Sequence, residues 1–177
     1  KLAAISKLNL PQDKTTILSW GFIWESKGID HMIEALAMIK KDIPNAMYIH
    51  AGGIHPLFNR FDYLKRCYQK AMKLGLSPKD LIIAGEYVPE EDIPYYFGAS
   101  DIIVLPYMRG SLSASGAAHR VCSAHRPIVA YDDPCLEDIP ALKVRRGDIN
   151  MLSGAIVALL KDEVQKESIT NRIFKYA

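Results

Sequence analysis

Short apolar runs and longer helical patterns alternate along this chain. "TTILSWG" (15–21) is a β-branched run that ends in glycine and predicts a strand. Ile29, Met32, Ile33, Leu36 and Ile39 then recur at helical spacing with charges between them. "AMYIHAGG" (46–53) predicts the next strand. Phe61, Leu64, Tyr68 and Ala71 mark a second helix, with Gly75 at its C-terminal cap. "LIIAGEY" (81–87) predicts a strand, and "PEEDIPYYFGAS" (89–100) opens with proline and acids, which suits the start of a short helix. "DIIVLPY" (101–107) is apolar on both faces, as central parallel strands are. The segment 114–124 predicts a helix, "PIVAYD" (127–132) a strand, and 149–160 and 163–176 two closing helices. The alternation predicts one α/β domain over 1–177: a parallel sheet of about six strands with helices on both faces.

Composition adds exclusions. The chain has 177 residues, nearly half of them apolar, enough for a full core. Its net charge of +2 is too small, and its basic residues too scattered, to argue for nucleic acid. No apolar run approaches the ~20 residues a membrane span needs. The three cysteines, Cys67, Cys122 and Cys135, fit neither a zinc site nor a redox pair and are expected to be buried apolar residues in a reducing compartment. No signal peptide is visible. The chain opens on Lys1, so a trimmed fragment is expected.

In a doubly wound parallel sheet, ligands bind beyond the carboxyl ends of the strands. That rule points to the loops after 20, 52, 85, 106 and 131. In "GFIWESKG", Gly21 permits a sharp turn, and Lys27 either meets an anion near the following helix or is a solvated surface lysine. In "AGGIHP", paired glycines allow close backbone approach, and His55 either binds a ligand or caps the turn. In "GEYVPEEDI", the backbone at Tyr87 and Val88 can pair with the edge of a base, while Glu90, Glu91 and Asp92 read as first-turn charges. Ser113, Ser115 and Gly116 enter a helix, where they serve an anion or simply cap the end. His119 and Arg120 follow one turn later and face either the ligand or an interdomain surface. There is no G-x-G-x-x-G, P-loop, H-E-x-x-H or nucleophile elbow, and no catalytic acid, base or metal ligand is assignable.

Several of these motifs line up with one family. "SWGFIWESKGIDHMIEALAMIKKDIPNAMYIHAGGIHP", "GEYVPEEDIPYYFGASDIIVLPY", "SASGAAHRVCSAHRPIVAYDDPCLEDIP" and "VRRGDINMLSGAIVALLKD" resemble, in order, segments of the C-terminal, donor-binding domain of retaining GT-B glycosyltransferases, family 4 or group 1. The resemblance runs from about residue 15 to the end of the last motif. It implies a Rossmann-like domain forming one half of a GT-B fold. It also implies retaining hexosyl transfer from a nucleotide-diphosphate sugar, with no metal or other cofactor. Lys27, Gly21, Gly53, Ser113, Ser115, Gly116 and Ala117 then fall on the donor diphosphate and sugar site. Glu86, Tyr87, Val88, Ile93 and Arg120 fall in the base and ribose region. The implied partners are the donor and an N-terminal acceptor-binding domain of the same enzyme. Residues 1–14 would be a lead-in from that domain, and 163–177 a closing helix that crosses back towards it and so dangles or packs differently here. Without that domain the chain would be inactive. The implied location is cytoplasmic, free or at the inner face of a membrane, with membrane contact only through the missing domain.

The chain departs from the family pattern in three places. Phe22 stands where the family places an arginine, which removes a charge suited to phosphate. Leu112 and Arg120 stand where it places two glutamates across the donor helix. The second glutamate accepts from the donor ribose, and arginine has donors only; the expectation is that Arg120 instead restores the charge lost at Phe22. A subgroup carrying "SASG" in place of the first glutamate is closer to this chain. The alternative reading is a degenerate, non-catalytic GT-B domain that acts as a binding or scaffold module. A phosphorylase-type relative would need a pyridoxal-phosphate lysine, for which Lys143 and Lys161 give no context.

Overall fold

Ile102–Leu105 is buried at every position, so it has a covered layer on each side, and the fold is built outward from it. The computed structural model describes residues 1–54, 61–108 and 115–177. The elements are α1 (Leu2–Lys7), β1 (Thr15–Trp20), α2 (Ile29–Ile39), β2 (Ala46–Gly53), α3 (Phe61–Lys73), β3 (Leu81–Gly85), α4 (Ile93–Ala99), β4 (Ile102–Leu105), α5 (Gly116–Cys122), β5 (Ile128–Tyr131), β6 (Leu142–Val144), α6 (Ile149–Lys161) and α7 (Glu163–Tyr176). Every strand pair is parallel and the order is β3-β2-β1-β4-β5-β6. This is the expected Rossmann-like α/β fold. The order reverses between β1 and β4, which opens a crevice at their carboxyl ends.

The two faces follow from register. Ile17 pairs with Tyr48 and Ser19 with His50, so these side chains share one face, while Trp20 points to the other. Trp20 packs edge-on against Phe97 of α4, centroids 5.6 Å apart. Helices α2, α3 and α6 pack together on the Tyr48 face, and α4 and α5, joined by α1 and α7, cover the Trp20 face. All three cysteines are buried.

Three features add to the sequence reading. The sheet's sixth strand, β6, has only three residues, one of them Lys143, too short to leave a periodic signal. Within residues 1–14, Ala4 and Ile5 of α1 pack with Ala99 against α4. Of the two outcomes left open for the closing helix, α7 packs: it buries Ile169 and Ile173 and contacts α5 and β5.

Two contacts fix the rim of the crevice. Gly28 has φ of +63°, and a Cβ there would lie 1.9 Å from the Pro106 carbonyl oxygen. The β1 and β4 loops therefore touch backbone to backbone, and the Met108 N–H donates to the Ser26 carbonyl at 2.8 Å. The second contact is a buried polar chain. The His50 ring is fully buried, with Nε2 2.9 Å from the Gly21 carbonyl oxygen and Nδ1 2.7 Å from Ser19 Oγ. A carbonyl only accepts, so Nε2 carries the proton and Nδ1 accepts from the Ser19 hydroxyl. Ser19 Oγ in turn accepts from Tyr48 O–H at 2.5 Å. This chain pins the Gly21 carbonyl at the mouth of the crevice.

Burial lowers the His50 pKa from 6.5 to about 4; the Gly21 hydrogen bond opposes this and the Lys27 charge reinforces it. The unfolded chain takes up this proton more readily, so the stability is complete above pH 6.5 and is lost as pH falls towards 4. We expect wild type to lose about 3 kcal/mol more than His50→Gln across that interval, read from urea melts. Equal losses would show that His50 is not held neutral. Gly28→Ala is expected to cost about 2–4 kcal/mol, because both the dihedral and the Pro106 carbonyl oppose it. A melt within ~0.5 kcal/mol of wild type would show that these loops separate freely.

Candidate functional site

The crevice between β1 and β4 holds a cavity of about 300 Å³. Its floor is backbone. A Cβ at Gly52 would meet the Gly21 carbonyl oxygen at 2.1 Å, and one at Gly53 would meet the Glu86 carbonyl carbon and the Tyr87 nitrogen at 2.6 Å. Only glycine lets the loops after β1, β2 and β3 close up in this way.

One end of the cavity is cationic. Lys27 leaves a short 3₁₀ turn, Glu25–Lys27, just before α2. Its Nζ lies 3.4 Å from Ser115 Oγ and 3.8 Å from the centroid of the Tyr107 ring. The Tyr107 hydroxyl is 3.3 Å from the same Ser115 oxygen. Ser115 caps α5, accepting from the Ala118 N–H at 3.3 Å, so the capping role proposed for it is real. Gly116 and Ala117 line the cavity beyond it, and a Cβ at Gly21 would touch the Ala117 Cβ at 3.3 Å. The first N–H groups of a helix lack intrahelical acceptors, so this end offers an ammonium and backbone donors together.

The other end is aromatic and apolar: Trp20, Phe22, Tyr87, Val88 and Ile93 line it. Phe22 and Tyr87 are exposed there. Glu90 and Arg120 stand at its rim, with Nη1 to Oε1 at 2.9 Å and a second bond from Nη2 to Oε2. The Arg120 hydrogen bond holds the Glu90 carboxyl below its usual range. The charge of Arg120 is thus committed to Glu90, which corrects the expectation that it replaces the charge missing at Phe22.

Of the residues predicted from sequence, Lys27, Gly21, Gly53, Gly116, Ala117, Tyr87, Val88, Ile93 and Arg120 come together around this one cavity. Ser115 sits behind Lys27. The Glu86 side chain is not part of the lining; its backbone is what abuts Gly53. Ser113, Leu112 and His55 lie outside the described residues. His119 faces away from the cavity: Nδ1 bonds the Ser115 carbonyl at 2.9 Å and Nε2 bonds Asp138 at 2.8 Å. Both nitrogens face acceptors, and first the Ser115 bond, then the Asp138 bond, raise its pKa. The sequence reading missed Trp20 in the lining, and Tyr107 and His50 behind it; Gly52 entered it only as one of two paired glycines and Glu90 only as a first-turn charge. Trp20 was within reach of the strand-end rule. Among the described residues no three His, Cys, Asp or Glu side chains converge as a metal site, and no helix is long and apolar enough to cross a membrane.

Known proteins share this architecture. The C-terminal domain of a glycosyl transferase group 1 family protein (LpcC) from Francisella tularensis superposes with a TM-score of 0.82 at 20% identity, covering 98% of this chain and 89% of that one. Sucrose-phosphate synthase from Thermosynechococcus elongatus gives 0.82 at 22% identity, over 99% of this chain and 43% of that one. Anabaena Alr3699/HepE, solved in complex with UDP, gives 0.81 at 20% identity, over 98% and 47%. The chain thus spans less than half of those two longer relatives. No curated protein matches it in sequence. The family model for glycosyl transferases group 1 matches residues 14–162, most of the chain, and the protein belongs to that family.

Proposed function

We propose that this domain binds the nucleotide-diphosphate sugar donor of a retaining, metal-independent glycosyltransferase. The observation that carries the reading is the cavity at the sheet's switch point, where Lys27, Ser115, Gly116 and Ala117 gather at one end and aromatic residues at the other. An ammonium and unpaired amides suit a diphosphate, and an apolar slot suits a base. The solved relative holding UDP supports that ligand class. In the proposed reaction, the bond between the sugar's anomeric carbon and the diphosphate oxygen breaks. Lys27 and the α5 amides stabilise the negative charge that grows on the leaving nucleoside diphosphate. A lysine there would serve where other enzymes use a metal. The acceptor and the remaining reacting groups would come from an N-terminal domain across the crevice, so the 177 residues alone would bind donor weakly and transfer nothing. The active enzyme would work in the cytoplasm, with any membrane contact made through that domain.

In the complete enzyme, Lys27→Ala is expected to lower turnover more than tenfold, within the range seen when one charge-stabilising donor is removed (about 10²–10³). Release of nucleoside diphosphate is the readout, and an unchanged rate would take Lys27 out of the site. Activity is expected to survive EDTA, and proton NMR of the first product is expected to show the donor's anomeric configuration. Loss with EDTA overturns metal independence; an inverted product overturns retention. If calorimetry of the complete enzyme with UDP, GDP and their sugars detects no binding, the domain is a scaffold.

A further inference from the structure

His119 touches no part of the cavity, yet it grips a residue that faces Lys27. Its ring Nδ1 lies 2.9 Å from the Ser115 carbonyl oxygen and its Nε2 lies 2.8 Å from the Asp138 carboxylate. Both partners only accept, so the ring serves both only when each nitrogen carries a proton, as the imidazolium. The Ser115 carbonyl also accepts from the backbone N–H groups of Ala118 and His119, at 2.9 and 3.1 Å. Three donors therefore fix it, and of these only the ring can lose its proton near neutral pH. On the other side of the same residue, Ser115 Oγ stands 3.4 Å from Lys27 Nζ.

Among the described groups around the ring, only His119 titrates near neutral pH. Asp138, in the segment before β6, also accepts from the Tyr176 hydroxyl; that bond first, then His119, holds its carboxyl below the usual range. Tyr176 of α7 is pushed up to about 12 by its bond to Asp138, and burial pushes the Cys122 thiol of α5 up to about 11. Arg120, the next residue on α5, is turned to Glu90. The Ser115 bond and then the Asp138 bond raise the His119 pKa above 6.5. The charged ring is thus fully present below pH 6.5 and is lost as pH rises through its higher folded value.

We infer that His119 is a positioning residue for the diphosphate end of the cavity: its imidazolium, anchored on Asp138, holds Ser115 against Lys27, and nucleoside-diphosphate binding weakens as the ring loses its proton. This rests on the donor reading above. A neutral ring keeps one donor and turns a lone pair to either the Ser115 carbonyl or the Asp138 carboxylate, so one of the two bonds is lost. The His119 side chain is 37% exposed and that of Asp138 53%, so water screens the loss and the effect is a few-fold change in affinity rather than a collapse.

The test titrates the complete enzyme with UDP, GDP and ADP, takes whichever binds best, and compares wild type with His119→Ala from about pH 6 to about pH 9. The ratio of the two affinities cancels the titration of the nucleotide and of Lys27. Wild type is expected to bind about three- to fivefold tighter at the acid end. That advantage is expected to shrink as pH rises, with a midpoint above 6.5. Asp138→Asn keeps the Ser115 bond but removes the carboxylate, and is expected to move the midpoint down. An advantage that is absent, or equal at both ends of the range, overturns the inference and leaves the donor reading standing. A midpoint that Asp138→Asn does not move does the same. A wild type that binds none of the three nucleotides overturns the donor reading, and this inference with it.

Discussion

Three loop backbones touch beneath the cavity with no room for a side chain between them. The Gly21 carbonyl lies where a Gly52 Cβ would be, and the peptide between Glu86 and Tyr87 lies where a Gly53 Cβ would be. Any larger residue would wedge the loops after β1, β2 and β3 apart. The consequence reaches past the floor itself. Because the loops are in contact, the side chains that leave them, Phe22, Tyr87 and Val88, rise around a common space. Because the floor carries no side chains, that space stays open. The His50 chain completes the constraint from below by fixing the direction of the Gly21 carbonyl. A bare imidazole in such a place would be costly to charge, and it is kept neutral by burial.

The two cations of the site are treated in opposite ways. Among the described residues Lys27 is given a hydroxyl and an aromatic face, Ser115 and Tyr107, and no carboxylate. Neither neighbour cancels its charge, so its field stays available to an incoming anion. Arg120 is given a carboxylate through both terminal nitrogens, and its field is largely quenched. The cavity is therefore polarised along its length, positive at the glycine-rich end and nearly neutral at the aromatic end. Such a gradient would orient a ligand with one anionic end before any specific contact is made.

The sequence exposed the fold readily because parallel strands buried on both faces and amphipathic helices leave strong, different periods. β6 escaped because three residues with a central lysine carry no period. α1 escaped because its apolar contacts are only Ala4 and Ile5, against a helix nearly a hundred positions away in sequence. At the site, glycines and Lys27 were legible because each answers a local demand of a turn or a helix start. Partnerships were not. Glu90 reads as an ordinary first-turn acid until the fold brings α5 beside it, and Arg120 reads as a loose charge until Glu90 holds it. His50 shows the same limit: a histidine inside a β-branched run is visible, but its link to Ser19 depends on strand register, which one sequence does not display.

The placement of α5 shows how the two sides of the domain meet at the cavity. A seven-residue helix has little stability of its own and must be held from outside. On the cavity side it is held by Ser115, which Lys27 and Tyr107 approach. On the far side His119 ties the Ser115 carbonyl to Asp138, and Asp138 also accepts from the Tyr176 hydroxyl of α7. The His125 ring packs edge-on against Phe174, 4.8 Å between centroids, which braces the other end of α5. The last turns of α7 thus set the position of a helix whose first turn faces the cavity. Ser115 is the shared point, touched by Lys27 from the front and by His119 from behind. The geometry offered to an anion at Gly116 and Ala117 therefore depends on residues 138 to 176 as directly as on the loop that carries Lys27.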